Sequence, residues 1–358
     1  MRPHLNDQSM FVLAGVAIRL AQSMGLHREQ SLKNLSLFEA ENRRRLWWQI
    51  AIFERQSAQI SGHKLDVDFV DGGDTKKPSN LSDSSLSPFM REMPSEHDEP
   101  TEMLFCRGRF EIGKFLRQIQ LVDKMVQATP AARLAQGEQA IVALEKRLQD
   151  GLLKKCDVSI PLHLLATLMG RSAVCQMRLA VRLALYKPGD VNMAPKDRQE
   201  LFNLSLKILE YDNTACSNQA LKSFSWHMAN NFPFQAFIQV LVHLLHWAQD
   251  DELERVWEAV NQVYENRPQL IGDGKTPLSA ALGNLVLKAW DARGATTDWQ
   301  SVTNPYLATA NVIQKLRSRK ASRSQIAGSG ASAIQNDLGF MEENLDWMQF
   351  LVDESHIF

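Results

Sequence analysis

The chain has 358 residues, of which 44% are hydrophobic and 23% charged, and its formal net charge is −1. This length suffices to bury one large or two ordinary domain cores, and the near-neutral charge excludes a general electrostatic attraction to nucleic acid or to an anionic membrane. The cysteines are too far apart for a C-x-x-C metal site or a tight disulfide framework, which favours a reducing compartment. They are Cys106, Cys156, Cys175 and Cys216.

The first predicted element is an amphipathic helix that ends at Gly25. Apolar residues recur in it at steps of three and four, which predicts one inward-facing side. A glycine after the last periodic residue closes a helix in the left-handed conformation, and Leu26 is placed to make the hydrophobic contact of a Schellman cap. The predicted inward residues are Met10, Leu13, Ala14, Ala17, Leu20, Ala21 and Met24.

The second predicted helix carries the arginine run Arg43–Arg45. Clustered arginines can neutralise phosphates. However, Glu39 and Glu41 precede the run, and Leu46 and two tryptophans follow it. These neighbours favour ion pairs and guanidinium stacking on indole, so we interpret the run as structural. The predicted apolar stripe of this helix is Leu46, Ile50, Phe53, Ser57 and Ile60, with Trp47, Ala51 and Ala58 beside it and Gly62 as its end.

These two helices resemble the middle regulatory region of the fungal binuclear zinc-cluster transcription factors. In that family a helix end of the form A-x-x-x-G-L-H-R precedes an acidic residue, paired arginines, a tryptophan and a D/E-R-x-x-S/A-x-x-x-G helix end. The matching residues are Ala21, Gly25, Leu26, His27, Arg28, Glu41, Arg44, Arg45, Trp48, Glu54, Arg55 and Gly62.

The resemblance implies an all-α, multi-helical regulatory domain in a nuclear transcription regulator. It also implies that zinc belongs to an amino-terminal six-cysteine cluster that reads DNA, so no cofactor is expected in this chain. Since the chain starts inside the regulatory region, we expect either a truncated product or a protein that acts without its own DNA reader. DNA would then be reached only through a missing module or a partner protein.

A polar stretch follows the second helix. Residues 65–73 alternate briefly as an extended piece, and residues 74–100 are rich in Ser, Asp, Glu and Pro, which predicts a mobile loop. Beyond it, the apolar periodicity is helical almost to the carboxyl end. Helices are predicted from Thr101, around Ile141–Leu148, from Leu162 to Tyr186, around Leu201–Tyr211, from Pro233 to Leu244, from Asp250 to Val263, around Leu278–Ala289, and briefly after Pro305.

The domain organisation predicted from this pattern has three parts. Residues 1–317 form the helical domain, and residues 318–335 form a basic and then Gly/Ser/Ala-rich linker. Residues 336–358 form an acidic tail without lysine or arginine. Its mixture of acidic and bulky apolar residues is typical of an activation segment that binds coactivators through Trp347, Phe350 and Leu351. Helical spacing of its apolar residues leaves a second interpretation open, in which the tail is a final helix packed on the domain itself.

Enzyme signatures are weak. No Rossmann, P-loop, nucleophile-elbow or H-E-x-x-H motif is present. The D-D-x-x-E sequence at Asp250, Asp251 and Glu254, which also includes Glu252, resembles a magnesium motif of terpene cyclases, but acidic residues also favour a helix start. His243 and His246 lack a third ligand, and we interpret them as core or rim residues.

The sequence therefore predicts a non-catalytic transcription regulator of the fungal zinc-cluster type, with coactivators as partners and a metabolic or secondary-metabolite pathway as its target. A small-molecule effector is a further expected partner. No membrane contact is expected, because arginines interrupt the most apolar window, residues 162–186. The alternatives are a helical enzyme of the terpene-cyclase type and a small-effector-binding module.

Overall fold

Helices account for almost all regular structure in the described part of the chain. The computed structural model describes residues 7–61, 73–125, 129–186, 193–229, 231–247, 250–272, 277–294 and 307–327. These residues form thirteen α-helices and no β-strand, which confirms the predicted all-α class. They divide into two compact units, unit 1 from residues 1–174 and unit 2 from residues 175–353.

Unit 1 is built from five helices and the first half of a sixth. Their bounds are α1 Asp7–Ser23, α2 Glu29–Leu32, α3 Leu37–Ile60, α4 Leu104–Met125, α5 Pro130–Gly151 and α6 Pro161–Leu183. Unit 2 takes the second half of α6 and seven more helices. These are α7 Pro195–Ser217, α8 Ser225–Ala229, α9 Phe234–His246, α10 Asp250–Asn266, α11 Gln269–Gly272, α12 Pro277–Gly294 and α13 Leu307–Ala327.

Helix α1 packs on α3 through its small side chains, and this differs from the predicted face. Ala14, Ile18 and Ala21 are buried, and Ile18 and Ala21 join a core cluster with Trp47 of α3. The small side chain of alanine lets the two helices approach closely, and the indole fills the space beside it. The predicted inward residues Leu13, Leu20 and Met24 are instead 50–59% exposed. Periodicity therefore identified the helix and its buried residues Ala14 and Ala21 correctly, but it missed the buried Ile18 and wrongly placed three large residues inward.

The predicted face of α3 likewise agrees with the structure only in part. Leu46 and Phe53 were predicted to face inward but are 49% and 36% exposed, whereas Trp47 and Ala58, predicted beside that stripe, are buried. Ser57 is buried as predicted, and its hydroxyl donates to the carbonyl of Phe53 at 2.8 Å. The predicted helix end, Gly62, lies outside the described residues.

Residues 73–103 contain no α-helix, as predicted, but extensive contacts fix them. Asn80 is buried, and its side-chain amide donates to the carbonyls of His97 and Glu99 while its Oδ1 accepts from Thr101. The backbone N–H of His97 in turn donates to the carbonyl oxygen of Asn80 at 2.9 Å. These bonds close the segment on itself, and Leu81 is fully buried beneath it. The expectation of a mobile loop is corrected by these contacts. The predicted extended piece lies mostly outside the described residues.

Unit 2 has a large apolar core. Trp257 and Phe237 are fully buried, and the predicted stripe of α10, Val256, Val260 and Val263, is fully buried too. A bidentate ion pair lies within this unit. Arg267 Nη2 donates to Asp212 Oδ1 at 2.8 Å, Nη1 lies 2.7 Å from Oδ2, and both residues are at most 4% exposed.

The last helix is longer than predicted. We expected a short helix followed by a linker over residues 318–335, but α13 runs to Ala327, so the basic run KLRSRKASR is helical. Val312, Ile313 and Leu316 are buried apolar residues of this helix, and Arg319 donates to the carbonyl of Ile271. The tail residues 336–358 lie outside the described residues.

Candidate functional site

Most of the described residues that carry the family resemblance meet at one place in unit 1, here called the motif junction: residues 25–29, 41–48 and 73–83. Its first part is the end of α1. Gly25 has φ +75°, Gly25 N donates to Gln22 O at 2.9 Å, and Leu26 N donates to Ala21 O at 3.0 Å. This pair of bonds is a Schellman motif, and Leu26 is 1% exposed beside Trp47. The predicted cap is therefore confirmed.

The second part of the motif junction is the start of the 73–103 segment, which binds the loop after α1. Asp74 N donates to His27 O at 2.9 Å, and Thr75 Oγ1 donates to Leu26 O at 2.7 Å. Gly73 approaches so closely that an added Cβ would lie 2.9 Å from His27 O and 3.2 Å from the Trp47 ring. The carboxylate of Asp74 accepts from the Glu29 N–H at 2.8 Å, which satisfies a free amide at the start of α2.

Arg44 connects the third part, helix α3, to this loop. Its Nε lies 3.2 Å from both carboxylate oxygens of Glu29, and its Nη2 bonds one of them. Glu29 also accepts from the backbone N–H of Lys76 at 3.0 Å. The hydrogen bond from Arg44 holds the pKa of Glu29 below its ordinary value, so the carboxylate stays charged and the pair stays intact.

Arg45, the next residue of α3, makes an equivalent connection. Its Nη1 binds Asp83 at 2.6 Å, its Nη2 donates to Leu81 O, and its Nε lies 3.4 Å from Glu41. Glu41 is fully buried and also accepts from Ser79 N at 3.1 Å. Burial raises the pKa of Glu41 in spite of the neighbouring arginines. The arginine pair therefore binds the 73–83 segment to α3, as the structural interpretation predicted.

The two indoles fill the space between these ion pairs, but not by stacking on arginine as expected. Trp47 packs at a tilt on His27, with ring centroids 5.8 Å apart, and Trp48 packs on Phe110 at 5.3 Å. The indole N–H of Trp48 donates to Lys76 O at 3.0 Å. Among the described residues, no arginine of the run lies over either ring. The indoles are thus held by aromatic packing and one backbone hydrogen bond.

The remaining motif residues lie at the edges of the motif junction. Arg28 is exposed, and its Nε donates to His27 Nε2 at 3.1 Å. Arg55 is half-buried on α3. Glu54 is 3% exposed, and its Oε2 has no hydrogen-bond partner among the residues the structure describes. Burial raises the pKa of Glu54 to about 7, against a smaller opposing effect of the Arg19 charge.

The weak catalytic candidates lie in unit 2 and do not form a site. His243 is buried and stacked on Phe202, with ring centroids 3.9 Å apart, and its Nε2 lies 3.2 Å from Glu252. His246 is exposed, so the two histidines are a core and a rim residue, as interpreted.

The D-D-x-x-E residues begin α10, as the helix-start interpretation predicted. Glu252 binds Gln199 at 2.8 Å, and Glu254 is exposed. No group of three potential metal ligands occurs within the described ranges.

Sequence reasoning missed several members of the motif junction. Each of them contacts a residue that lies 38–49 positions away along the chain. These members are Glu29, Gly73, Asp74, Thr75 and Asp83. Asp and Thr are helix-cap residue types, so their presence signals capping in general. Nothing in the sequence indicates which helix they cap. The predicted tail contacts, Trp347, Phe350 and Leu351, lie outside the described residues.

Comparison with known proteins identifies the region around the motif junction. Residues 3–72 match the model of the fungal specific transcription factor domain. This range contains α1, α2 and α3 and every residue on which the resemblance rests. No solved structure gives a significant match.

Several relatives match over most of the chain, among them three fungal regulators. The aurofusarin cluster transcription factor of Gibberella zeae is 36% identical over 84% of this chain and 45% of its own length. A transcriptional regulator of Aspergillus aculeatus is 27% identical over 93% of this chain and 46% of its own. The pyriculol/pyriculariol biosynthesis cluster transcription factor 1 of Pyricularia oryzae is 28% identical over 80% of this chain and 40% of its own. The chain thus spans less than half the length of these relatives. Each is named as a regulator and none as an enzyme.

A search of the described helices for membrane spans found none that is both long and apolar enough.

Proposed function

Because this chain carries the domain of the fungal specific transcription factor family, we propose that it is the regulatory part of a nuclear transcription factor. The observation that carries the proposal is the 36% identity to a cluster transcription factor over 84% of this chain. An alignment of 304 residues is longer than either unit alone, so it includes residues of both units and extends well beyond the matched domain model. The paired arginines of the motif junction support a regulatory and not a DNA-reading role for this region, because their charges are already neutralised.

The proposed target is a secondary-metabolite gene cluster. Two relatives are named as regulators of such clusters, one for aurofusarin and one for pyriculol and pyriculariol. Deleting the coding region in the fungus is expected to lower the transcripts of a contiguous set of biosynthetic genes. Unchanged transcripts of every such cluster under producing conditions would refute the proposed target.

Contact with DNA is proposed to come through a zinc cluster outside this sequence or through a partner protein. The four cysteines of the chain form no disulfide in the structure and are widely separated in the sequence, so they support no zinc cluster of their own. The chain as given is therefore expected to reach promoters only when it is joined to such a module.

The tail is proposed to contact the transcription machinery. Residues 336–358 contain six acidic residues and no lysine or arginine, and bulky apolar side chains lie between them. Negative charge keeps such side chains in solution until a coactivator groove accepts them, and the segment orders on binding. Trp347, Phe350 and Leu351 are the side chains that could bury the largest apolar area.

A reporter assay tests whether the tail activates transcription and whether its three large apolar side chains are needed. The full chain is fused to an unrelated DNA-binding domain, and we expect it to activate a reporter. Replacing Trp347, Phe350 and Leu351 together by alanine should abolish activation without lowering the melting temperature of the protein. Replacing Asp337, Glu342 and Glu343 together by the matching amides is the companion variant and should reduce activation partly. A melting temperature several degrees lower in the alanine variant would instead show that the tail packs on the helical body.

A further inference from the structure

A cleft of about 780 Å³ lies in unit 1 between α4 and α5, and most of the charged side chains that line it are basic. Helix α4 contributes Arg107 and Lys114, helix α5 contributes Lys146 and Arg147, and Lys77 enters from the segment before α4. Glu111 and Asp150 are the acidic residues of the lining. The lining therefore carries a net charge of +3.

Four of these cations have no partner in the part of the chain that the structure describes. Lys77 is bound to Glu111, which neutralises that acid. The side chains of Arg107, Lys114, Lys146 and Arg147 make neither a hydrogen bond nor an ion pair with a described residue. By contrast, the arginine run of α3 in the same unit is fully paired with carboxylates.

The spacing of these residues gives the cleft a defined length. Arg107 and Lys114 are seven residues apart on α4, and the α5 lining extends from Ala143 to Gly151. At about 1.5 Å per helical residue, both walls are about 11–12 Å long. Ala143, Gly151 and the buried Leu152 add small or apolar surface between the charges. A volume of this size lies within the range of small-ligand sites.

We infer that the α4–α5 cleft binds a compact polyanion, a small molecule that carries two or more phosphate or carboxylate groups. Like charges that converge on one cleft repel each other, and a bound anion relieves that repulsion with charge-assisted hydrogen bonds. A helical tail of 23 residues would be about 35 Å long, three times the length of the cationic walls. Binding of a polyanion to this cleft does not depend on the proposed function in transcription, because it can be measured on the purified chain.

Isothermal titration of the full chain with inorganic tripolyphosphate, at near-physiological salt, tests the inference. We expect saturable binding with one site per chain. The variant Lys146→Gln/Arg147→Gln should weaken it by about tenfold or more, because each charge-assisted hydrogen bond contributes at least about 1.5 kcal/mol. Arg107→Gln/Lys114→Gln, on the opposite wall, should have a similar effect. Since both pairs lie on helix surfaces, circular dichroism should show unchanged folding.

A matched control separates a built site from general electrostatics. Lys33→Gln/Arg91→Gln removes the same charge from exposed positions of unit 1 outside the cleft and should change the affinity by less than about twofold. Equal weakening by the control and by either cleft variant would overturn the inference, as would the absence of saturable binding. Tighter binding of a peptide of residues 336–358, or of duplex DNA, through the same four side chains would also overturn it and assign the cleft to that partner.

Discussion

Glu54 provides a test of the α1–α3 packing through pH. Its carboxyl is buried, Oε2 accepts no hydrogen bond from a described residue, and burial raises its pKa to about 7. The folded protein therefore prefers the protonated form. Below about pH 4.5 the residue is protonated in both the folded and the unfolded chain, so its ionisation does not change the free energy of unfolding. As the pH rises from about 4.5 to 7, the unfolded chain gains stability by releasing the proton, so the folded state loses stability; above pH 7 the loss is complete.

The size of this effect follows from the two pKa values. A pKa of about 7 against an ordinary value of 4.5 corresponds to about 3 kcal/mol at high pH, at about 1.4 kcal/mol for each pH unit. Glu54→Gln keeps the shape and removes the ionisation. We therefore expect this variant to be more stable than the parent by up to about 3 kcal/mol at pH 8 and nearly equal to it at pH 4.5.

Hydrogen exchange of peptides from α1 and α3 measures this difference locally, which avoids the assumption that both units unfold together. Opening free energies of parent and variant are compared between pH 5 and pH 8, after correction for intrinsic exchange rates. Glu39→Gln is the matched control, since Glu39 is a partly exposed acid on the same helix and its ion pair with Arg43 contributes little. A Glu54→Gln variant that is less stable than the parent at pH 8 would refute the reasoning, because it would mean that the carboxylate is favourably paired there.

Further changes test the cap, the buried ion pair and the neutral surface. Gly25→Ala should lower the free energy of unfolding by about 1–2 kcal/mol, since the residue has φ +75° and the new Cβ would lie 2.8 Å from Ser31 Oγ. Gly15→Ala, within α1, should raise the free energy of unfolding by about 0.5–1 kcal/mol. Thermal unfolding that finds Gly25→Ala more stable than Gly15→Ala would contradict the cap. Arg267→Met should cost about 3–5 kcal/mol by leaving Asp212 buried and unpaired. Arg267→Met/Asp212→Leu should cost less than Arg267→Met in denaturant unfolding, and an additive loss would contradict the pairing. Finally, duplex DNA should bind the chain weakly and lose that binding with salt, so a sequence-specific gel shift at physiological salt would contradict the assigned role of Arg44 and Arg45.

The features that the sequence predicted well depend on local signals. The Schellman end of α1 needs only Gly25 and Leu26, and both are adjacent to the helix that they close. The buried stripe of α10 needs only valines at helical spacing. The charged start of α10 was recognised as a helix start and not a metal site because no second acidic motif follows it in the sequence.

The predicted faces of α1 and α3 were wrong in part, and for a physical reason. Hydrophobic periodicity gives most weight to large side chains, so it placed Leu13, Leu20 and Met24 inward together with Ala14 and Ala21. The structure buries the two alanines but not the three large residues, and Ala21 packs with Trp47 of α3. Which of two neighbouring apolar stripes is buried depends on the partner helix, and that information is absent from either helix alone.

The polar segment after α3 was misjudged for a related reason. Its composition is that of mobile loops, since it contains few apolar residues. It is nevertheless fixed, because Thr75, Asp74 and the backbone of Lys76 bond groups that lie 45–49 residues earlier in the chain. Hydrogen bonds over such separations leave no periodic pattern in the sequence.

The arginines of unit 1 show how far charge can be interpreted from sequence. Arg43 has Glu39 four residues earlier, and that pair could be predicted from helical spacing alone. Arg44 and Arg45 also depend on Glu29 and Asp83, which folding brings to them. Arg147, in an equally charged stretch of α5, receives no such partner among the described residues. The same residue type is therefore structural in one helix and available for an anionic ligand in another, and only the three-dimensional arrangement distinguishes the two.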